Sequence, residues 1–369
     1  MLEKLIRKLA AQHSTPLAII RRSALAEAVE RFRRALPRVE PFYAVKCNPD
    51  PNVIKTFAEL GLGFDVASRA EMEAVLGLGV KPERIVFSHT VKRIEDLEFA
   101  RSKGVSLTAY DTEYELAKIA RHHPEARVLL RIKVPNAGSV VELSRKFGAE
   151  VPDAIPLLFR AKDMGLDVAG ICFHVGSQCT NPDNFVEAAE IARLILHDAQ
   201  LKGLTLSILD IGGGFPIRMS EGSNGADIES IAAVLRGELD RVIPPNVRLI
   251  AEPGRALAGP AMTLVMRVIG KAIRFNKNWY FLDDGLYGGL SGIVFDHSRY
   301  EFKTFRKGQK LISTLAGPTC DSFDVIESSA LLPELKVGDI VYVENAGAYS
   351  LASATSFNGM PRPKVVFVP

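Results

Sequence analysis

Between Pro41 and Glu252, short apolar runs alternate with segments whose apolar residues recur at helical spacing. The apolar runs predict strands at 41–46, 63–66, 84–87, 106–109, 127–132, 167–173, 205–210 and 247–251. The segments between them predict helices at 51–60, 68–78, 93–103, 112–121, 153–164, 183–202 and 226–242. This alternation means βα units, an α/β class and parallel strands. Roughly eight such units point to a (β/α)8 TIM-like barrel rather than an open doubly wound sheet. After about Gly259 the pattern changes. Thr263–Gly270, Trp279–Leu282, Lys310–Leu315, Asp339–Glu344 and Lys364–Val368 are strand-like runs separated by turns with little helix. They predict a second, mostly antiparallel β domain. The run Pro16–Ile20 is a candidate extra strand of it. The predicted domains are 23–258 for the barrel, and 1–22 with 259–369 for the β domain.

Composition adds exclusions. The chain has 369 residues, is 47% hydrophobic and carries a formal net charge of +3. That charge is too small and dispersed for a nucleic-acid partner. The tightest basic cluster, Arg31, Arg33 and Arg34, shares a helical pattern with Ala26, Val29 and Phe32, and reads as a solvated helix face. No run approaches the ~20 apolar residues of a membrane span, and residues 1–8 lack a signal-peptide core. Cys47, Cys172, Cys179 and Cys320 are scattered and fit no zinc spacing, so no metal is expected. The expected location is the cytoplasm, with reduced thiols.

In a parallel barrel the functional site lies at the mouth formed by the strand C-termini. Polar residues gather at those predicted ends. Lys46 ends the first strand and Asp65 the second, His89 follows the third, and Arg131 ends the fifth. His174 ends the sixth, Gly212-Gly213-Gly214 follows Asp210 on the seventh, and Glu252 ends the eighth. Lys46 lies in the otherwise strand-like Tyr43-Ala-Val-Lys-Cys-Asn48. Burial there would lower its pKa and make the amine a nucleophile; the plainer alternative is a lysine that snorkels to water. The triple glycine lets backbone N–H groups approach an anion, although a tight strand-to-helix turn would also use glycine. Glu252-Pro-Gly-Arg255 sets a carboxylate and a guanidinium on one loop, either to grip a phosphate or to pair with each other. Ser177, in His174-Val-Gly-Ser177, could donate to the same phosphate. A phosphate nest, a nucleophilic lysine and an unpaired carboxylate together suggest pyridoxal 5′-phosphate, whose ring nitrogen the carboxylate would keep protonated.

The runs then continue in a recognisable order. They are Tyr43-Ala-Val-Lys-Cys-Asn48, Gly63-Phe-Asp-Val-Ala-Ser68, Lys146-Phe-Gly148, His174-Val-Gly-Ser177, Asp210-Ile-Gly-Gly-Gly-Phe-Pro216 and Glu252-Pro-Gly-Arg255. After these come Asp284-Gly-Leu-Tyr-Gly288, Phe295-Asp-His297, Gly317-Pro-Thr-Cys-Asp321, Gly347-Ala-Tyr349 and Ser356-Phe-Asn-Gly359. With these runs the chain resembles, over nearly its whole length, the fold-type III pyridoxal-phosphate-dependent basic amino-acid decarboxylases, most of all the eukaryotic-type ornithine decarboxylases. That family has an alanine-racemase-like barrel followed by a β domain.

The resemblance implies roles. Lys46 would hold the cofactor aldehyde as an imine, Glu252 would face the pyridine nitrogen, and Asp65 would lie near both. His174 would stack on the ring and Arg131 would lie near the cofactor. Ser177, Gly213, Gly214, Gly254, Arg255 and Tyr349 would bind it, chiefly at the phosphate. Cys320 would reprotonate the substrate α-carbon from the neighbouring subunit. Asp321 and Asp296 would receive the distal ammonium of a small basic amino acid, with Phe295, Tyr287 and Phe357 lining the substrate site. The implied assembly is a homodimer with shared active sites, and the implied reaction is decarboxylation of L-ornithine to putrescine. A dual lysine/ornithine enzyme is the competing reading, since one methylene is worth only about 1–3 kcal/mol. Action on the D-amino acids is a further alternative. A diaminopimelate decarboxylase would show Glu-Ser where this chain has Asp321-Ser322; a racemase would place a tyrosine in the loop that carries Cys320; a catalytically inactive relative would lack cofactor-contacting residues. The chain departs from the closest pattern at Gln178-Cys-Thr180 and at Phe295, where tyrosine is common, and its C-terminal part is short.

Overall fold

The computed structural model describes residues 2–137, 139–140, 145–218 and 225–369. The described residues form two compact units. One comprises 26–217 with 225–257, and the other 2–25, Arg218 and 258–369.

The first unit is a closed barrel of eight parallel strands. These are Val39–Ala44, Gly63–Val66, Ile85–Phe87, Leu107–Tyr110, Arg127–Arg131, Asp167–Cys172, Ile208–Asp210 and Arg248–Ala251. Closure comes from Val39, Glu40 and Pro41 pairing with Leu249, Ile250 and Ala251. Apolar residues from successive strands, among them Phe42, Val86, Leu129, Ile208 and Ile250, pack into one buried cluster. A helix follows most strands, and side-chain caps start several of them. Asp50 accepts from the Asn52 N–H before Pro51–Glu59, Ser68 from Glu71 before Arg69–Leu76, and Thr112 from Glu115 before Glu113–His122. The strand and helix expectations therefore hold, with ends shifted by one to three residues. The largest shift is at the start of Ile208–Asp210, predicted at 205, while Val39–Ala44 lies two residues earlier than predicted at both ends.

The second unit is a mostly antiparallel sheet. Its main path runs Lys303–Thr304, Ile340–Val343, Met262–Arg274, Lys277–Leu282, Leu311–Ala316, Val325–Leu332. Leu17–Arg21 joins it, antiparallel to Met262–Arg274 and parallel to Lys364–Val368. The helix Leu2–Gln12 packs Ile6 and Leu9 against Leu17, Ile19, Val265 and Tyr342. Val325–Leu332 is a strand that the hydrophobic pattern did not predict. Its Glu-Ser-Ser centre interrupts the apolar run, and its pairing with Leu311–Ala316 is broken by register shifts. Among the described residues no helix is long and apolar enough to cross a membrane.

Gly170 shows how tightly the barrel closes. It lies inside Asp167–Cys172 where the register with Arg127–Arg131 shifts. A Cβ there would stand 1.9 Å from the carbonyl oxygen of Ile208 on the next strand. Gly170→Ala must push two strands apart, and we expect it to lower stability by about 3 kcal/mol in chemical denaturation.

Candidate active site

The strand that leads to Lys46 ends earlier than its sequence suggests. The Ala44 N–H donates to the carbonyl of Pro253, and Val45–Cys47 form a single 3-10 turn that carries Lys46. Lys46 is therefore not a buried strand lysine; its side chain is 39% exposed and ion-paired to Asp65, itself 1% exposed. The ladder pairs Ala44 with Asp65, which brings the two side chains together.

Three carboxyl groups from three strand ends share this part of the mouth. Asp65, Asp210 and Glu252 are all buried. Ser88 donates its hydroxyl to Glu252, and Asp210 accepts from the Gly212 N–H at 2.8 Å. Asp65 Oδ1 and Asp210 Oδ2 are buried without a hydrogen-bond partner among the described residues. Burial, and then the charge of Asp65, push the Glu252 carboxyl above its ordinary range, while Lys46 pulls the other way. Burial and Glu252 push Asp210 well up. Buried carboxyls held above their ordinary range favour a positive group beside them, which would ease their ionisation.

His174 lies two residues beyond the end of its strand. Its Nδ1 accepts the Gly176 N–H at 3.0 Å, which leaves the proton of the neutral ring on Nε2. Desolvation, then Arg131 and Lys46, hold its pKa well below the ordinary value. The Arg131 guanidinium sits 5.1 Å from the ring centre of Phe147, and the His89 ring meets Phe147 edge-on at 5.8 Å.

The glycines are explained by close backbone approach. A Cβ on Gly212 would fall 2.0 Å from the Phe173 carbonyl oxygen, and on Gly214 2.3 Å from that of Gly176. A Cβ on Gly213 would meet His174 Nε2 at 2.9 Å, and on Gly254 it would meet Cys47 Cβ at 2.8 Å. Beside this loop, Arg255, 5% exposed, opens the short helix Arg255–Ala258 and donates to Ser177 Oγ at 3.4 Å.

The remaining predicted site residues belong to the other unit. Cys320 is exposed at the crest of the loop after Leu311–Ala316. Asp321 beside it accepts from the Tyr287 hydroxyl and from the Phe323 N–H at 2.9 Å. The hydroxyl bond, with the amide second, lowers the pKa of Asp321. Tyr287 stacks on Phe357 with ring centres 4.5 Å apart. Asp296, 7% exposed, caps the short helix Gly292–Phe295 and accepts from Ser298 Oγ at 3.2 Å, while Phe295 is 65% exposed. Tyr349, half-buried, has a left-handed φ of 52°.

Sequence reasoning passed over several contributors. Ser88, next to His89 at a strand end, was identifiable by position alone. Lys92 is a buried lysine, with burial pushing it down to about 8. Its Nζ donates to the carbonyls of His89 (2.9 Å) and Ala109 (2.5 Å) and pairs with Glu115 at 3.2 Å, anchoring the loop that carries Ser88. Asp324, which braces the Cys320 loop, had no distinguishing pattern, and Asn358 lay inside the run Ser356-Phe-Asn-Gly359 without a role of its own.

Residues 22–259 match the family described as pyridoxal-dependent decarboxylase, pyridoxal binding domain. The chain belongs to this family. It is 42% identical over 352 residues to an ornithine decarboxylase from Schizosaccharomyces pombe, covering 92% of this chain and 80% of the relative. It is 41% identical over 366 residues to a lysine/ornithine decarboxylase from Selenomonas ruminantium, covering 99% and 93%. The structure of SrLDC in complex with PLP and cadaverine aligns with a TM-score of 0.93 at 40% identity, covering 99% of this chain and 93% of that one. This decarboxylase accordingly has pyridoxal 5′-phosphate as its cofactor and basic amino acids as its substrate class. The donor set fits the cofactor. Arg255, Ser177 and the glycine loop suit a phosphate, and the buried Glu252 carboxyl suits a protonated ring nitrogen.

The His174 pKa has a measurable consequence. In the cofactor-free protein, NMR should show no protonation of His174 between about pH 8 and about pH 6. The unfolded ring takes up a proton near pH 6.5 while the native ring does not, so this histidine withdraws stability as pH falls below that value.

Proposed function

We propose that this decarboxylase converts L-ornithine to putrescine and CO2, in a site completed by a second copy of the chain. The observation that carries the substrate reading is the pinned, ionised Asp321 carboxylate, held by Tyr287 and the Phe323 amide. With Asp296 it supplies two acids for a distal ammonium, and a cation leaving water needs such partners. In this reading Lys46 holds the cofactor aldehyde covalently, and Asp65 receives the ammonium charge when Lys46 is released. Glu252, steadied by Ser88, faces the ring nitrogen. His174 stacks as a neutral ring and so adds no positive charge to the ring face, and Arg131 stands nearby. Ser177, Gly213, Gly214, Gly254, Arg255 and Tyr349 grip the phosphate. When bound, the cofactor draws the electron pair freed by loss of CO2 into its ring. Cys320 of the second copy then passes its Sγ proton to the α-carbon, and Phe295, Tyr287 and Phe357 line the substrate side.

The nearly end-to-end match to a lysine/ornithine decarboxylase favours a second reading, in which cadaverine is also made. Steady-state kinetics with L- and D-ornithine, L- and D-lysine, arginine and diaminopimelate, with products identified, decides between them. We expect kcat/KM for L-ornithine to exceed that for L-lysine by about 10–200-fold. Near parity would establish the second reading.

Shared sites predict complementation. Lys46→Ala chains, which cannot hold the cofactor, and Cys320→Ala chains, which are deficient in putrescine formation, mixed in equal amounts under verified subunit exchange, should regain about a quarter of the wild-type putrescine-forming sites. Half of the dimers are then mixed, and each has one intact site. No recovery would reject sharing.

A further inference from the structure

The Cys320–Asp321 loop has no regular secondary structure, yet it must deliver a proton to one carbon and not to its neighbour. Its base is fixed by Asp324, 2% exposed. The Asp324 carboxylate accepts from Leu286 N–H at 2.8 Å, Thr319 Oγ1 at 2.7 Å and Thr319 N–H at 3.3 Å. The backbone of Asp324 accepts from Gly317 N–H at 2.8 Å and donates to the Asp321 carbonyl at 3.1 Å. At the crest, the Cys320 N–H donates to Asn358 Oδ1 at 3.0 Å.

Asn358 is well placed for this contact. Its φ of 55° and ψ of 15° lie in the left-handed region, which asparagine enters more readily than most residues. The segment around it is docked at both sides. Phe357 stacks on Tyr287, Tyr287 donates to Asp321, and the Thr355 N–H donates to the Tyr287 carbonyl at 2.8 Å. Phe357, Asn358 and Tyr287 thus form a bracket that closes on adjacent residues of the reactive loop. The crest could otherwise rock about its Asp324 base.

We propose that Asn358 is a positioning residue which, by holding the Cys320 amide, directs the thiol proton to the substrate α-carbon and suppresses a competing transamination. This rests on the reading of Cys320 as proton donor given above. In the normal course the electron pair left by CO2 takes the Sγ proton at the α-carbon, the amine is released, and the thiolate regains a proton from solvent. In the competing course the pair takes a solvent proton at the cofactor carbon. Water then cleaves the carbon–nitrogen bond and releases an aminoaldehyde. The substrate carbon is oxidised by two electrons, and the cofactor is reduced to its amine form and keeps the substrate nitrogen, so no outside oxidant is required. A displaced thiol shifts flux from the first course to the second.

Asn358→Gly tests the idea, because glycine keeps the left-handed backbone without strain and removes only the acceptor. Two measurements are made on the full-length holoenzyme. In the absence of substrate, hydrogen exchange at the Cys320 amide should accelerate about three- to tenfold in Asn358→Gly and stay slow in Asn358→Asp, which keeps an acceptor oxygen. With L-ornithine, the aminoaldehyde fraction should rise several-fold in Asn358→Gly, as it should in Cys320→Ala. Unchanged exchange in Asn358→Gly, or equal loss of protection in Asn358→Asp, overturns the proposal. So does an unchanged aldehyde fraction in Asn358→Gly when Cys320→Ala raises it. If Cys320→Ala leaves the fraction unchanged, the proton-donor reading itself fails and the role of Asn358 falls with it.

Discussion

Closure of the eight-stranded barrel is the constraint on which the cofactor site depends. Every strand has a bonded neighbour on both sides, because Val39–Pro41 meets Leu249–Ala251. A one-residue slip would break two ladders and turn core side chains outward. The strand C-termini are thereby held to one rim. Lys46 and Asp65, or Ser88 and Glu252, meet there although the second pair is 164 residues apart. Closure also dries the rim, which is why Asp65, Asp210 and Glu252 act on one another so strongly.

The same closeness explains the glycines. Gly212, Gly213 and Gly214 pack against the backbone of the His174 loop and of Glu252. An anion cradle and a crowded turn are thus one feature, since backbone that must lie close to other backbone also leaves its surface bare of side chains. Electrostatics follows from the packing. Burial and mutual repulsion hold the Asp210 and Glu252 carboxyls above their ordinary range, so a cationic group arriving beside them would ease their ionisation. The neutral tautomer of His174, set by the Gly176 N–H, keeps a further positive charge from accumulating beside Arg131 and Lys46.

Much of this was legible along the chain, for identifiable reasons. Strand and helix periods marked every barrel strand, and the position of polar residues just past strand ends pointed to the rim. Lys46 was found by its neighbours but misplaced, because Tyr43-Ala-Val-Lys-Cys reads as continuous strand, while the bond from Ala44 to Pro253 that ends the strand is invisible locally. Lys92, a buried lysine, follows Ser88-His-Thr-Val91 rather than a continuous apolar run, so the pattern does not mark it as buried. Asp324 and Asn358 act mainly by accepting from backbone N–H groups, a role that sequence patterns do not display even where, as in Ser356-Phe-Asn-Gly359, they mark the residue. Val325–Leu332 was hidden by its polar centre and its irregular pairing.

The pairing of Leu17–Arg21 with both Met262–Arg274 and Lys364–Val368 has a consequence for biosynthesis. The eight barrel strands all lie between Val39 and Ala251 and can close as soon as Ala251 has left the ribosome. Leu17–Arg21 is made before the barrel, yet its parallel neighbour is made after Met262–Arg274. The amino-terminal strand must therefore wait through the synthesis of more than 300 residues before its second edge is covered. Until Met262–Arg274 and then Lys364–Val368 have been made, it presents unpaired apolar edges, of the kind that chaperones bind and that aggregation exploits.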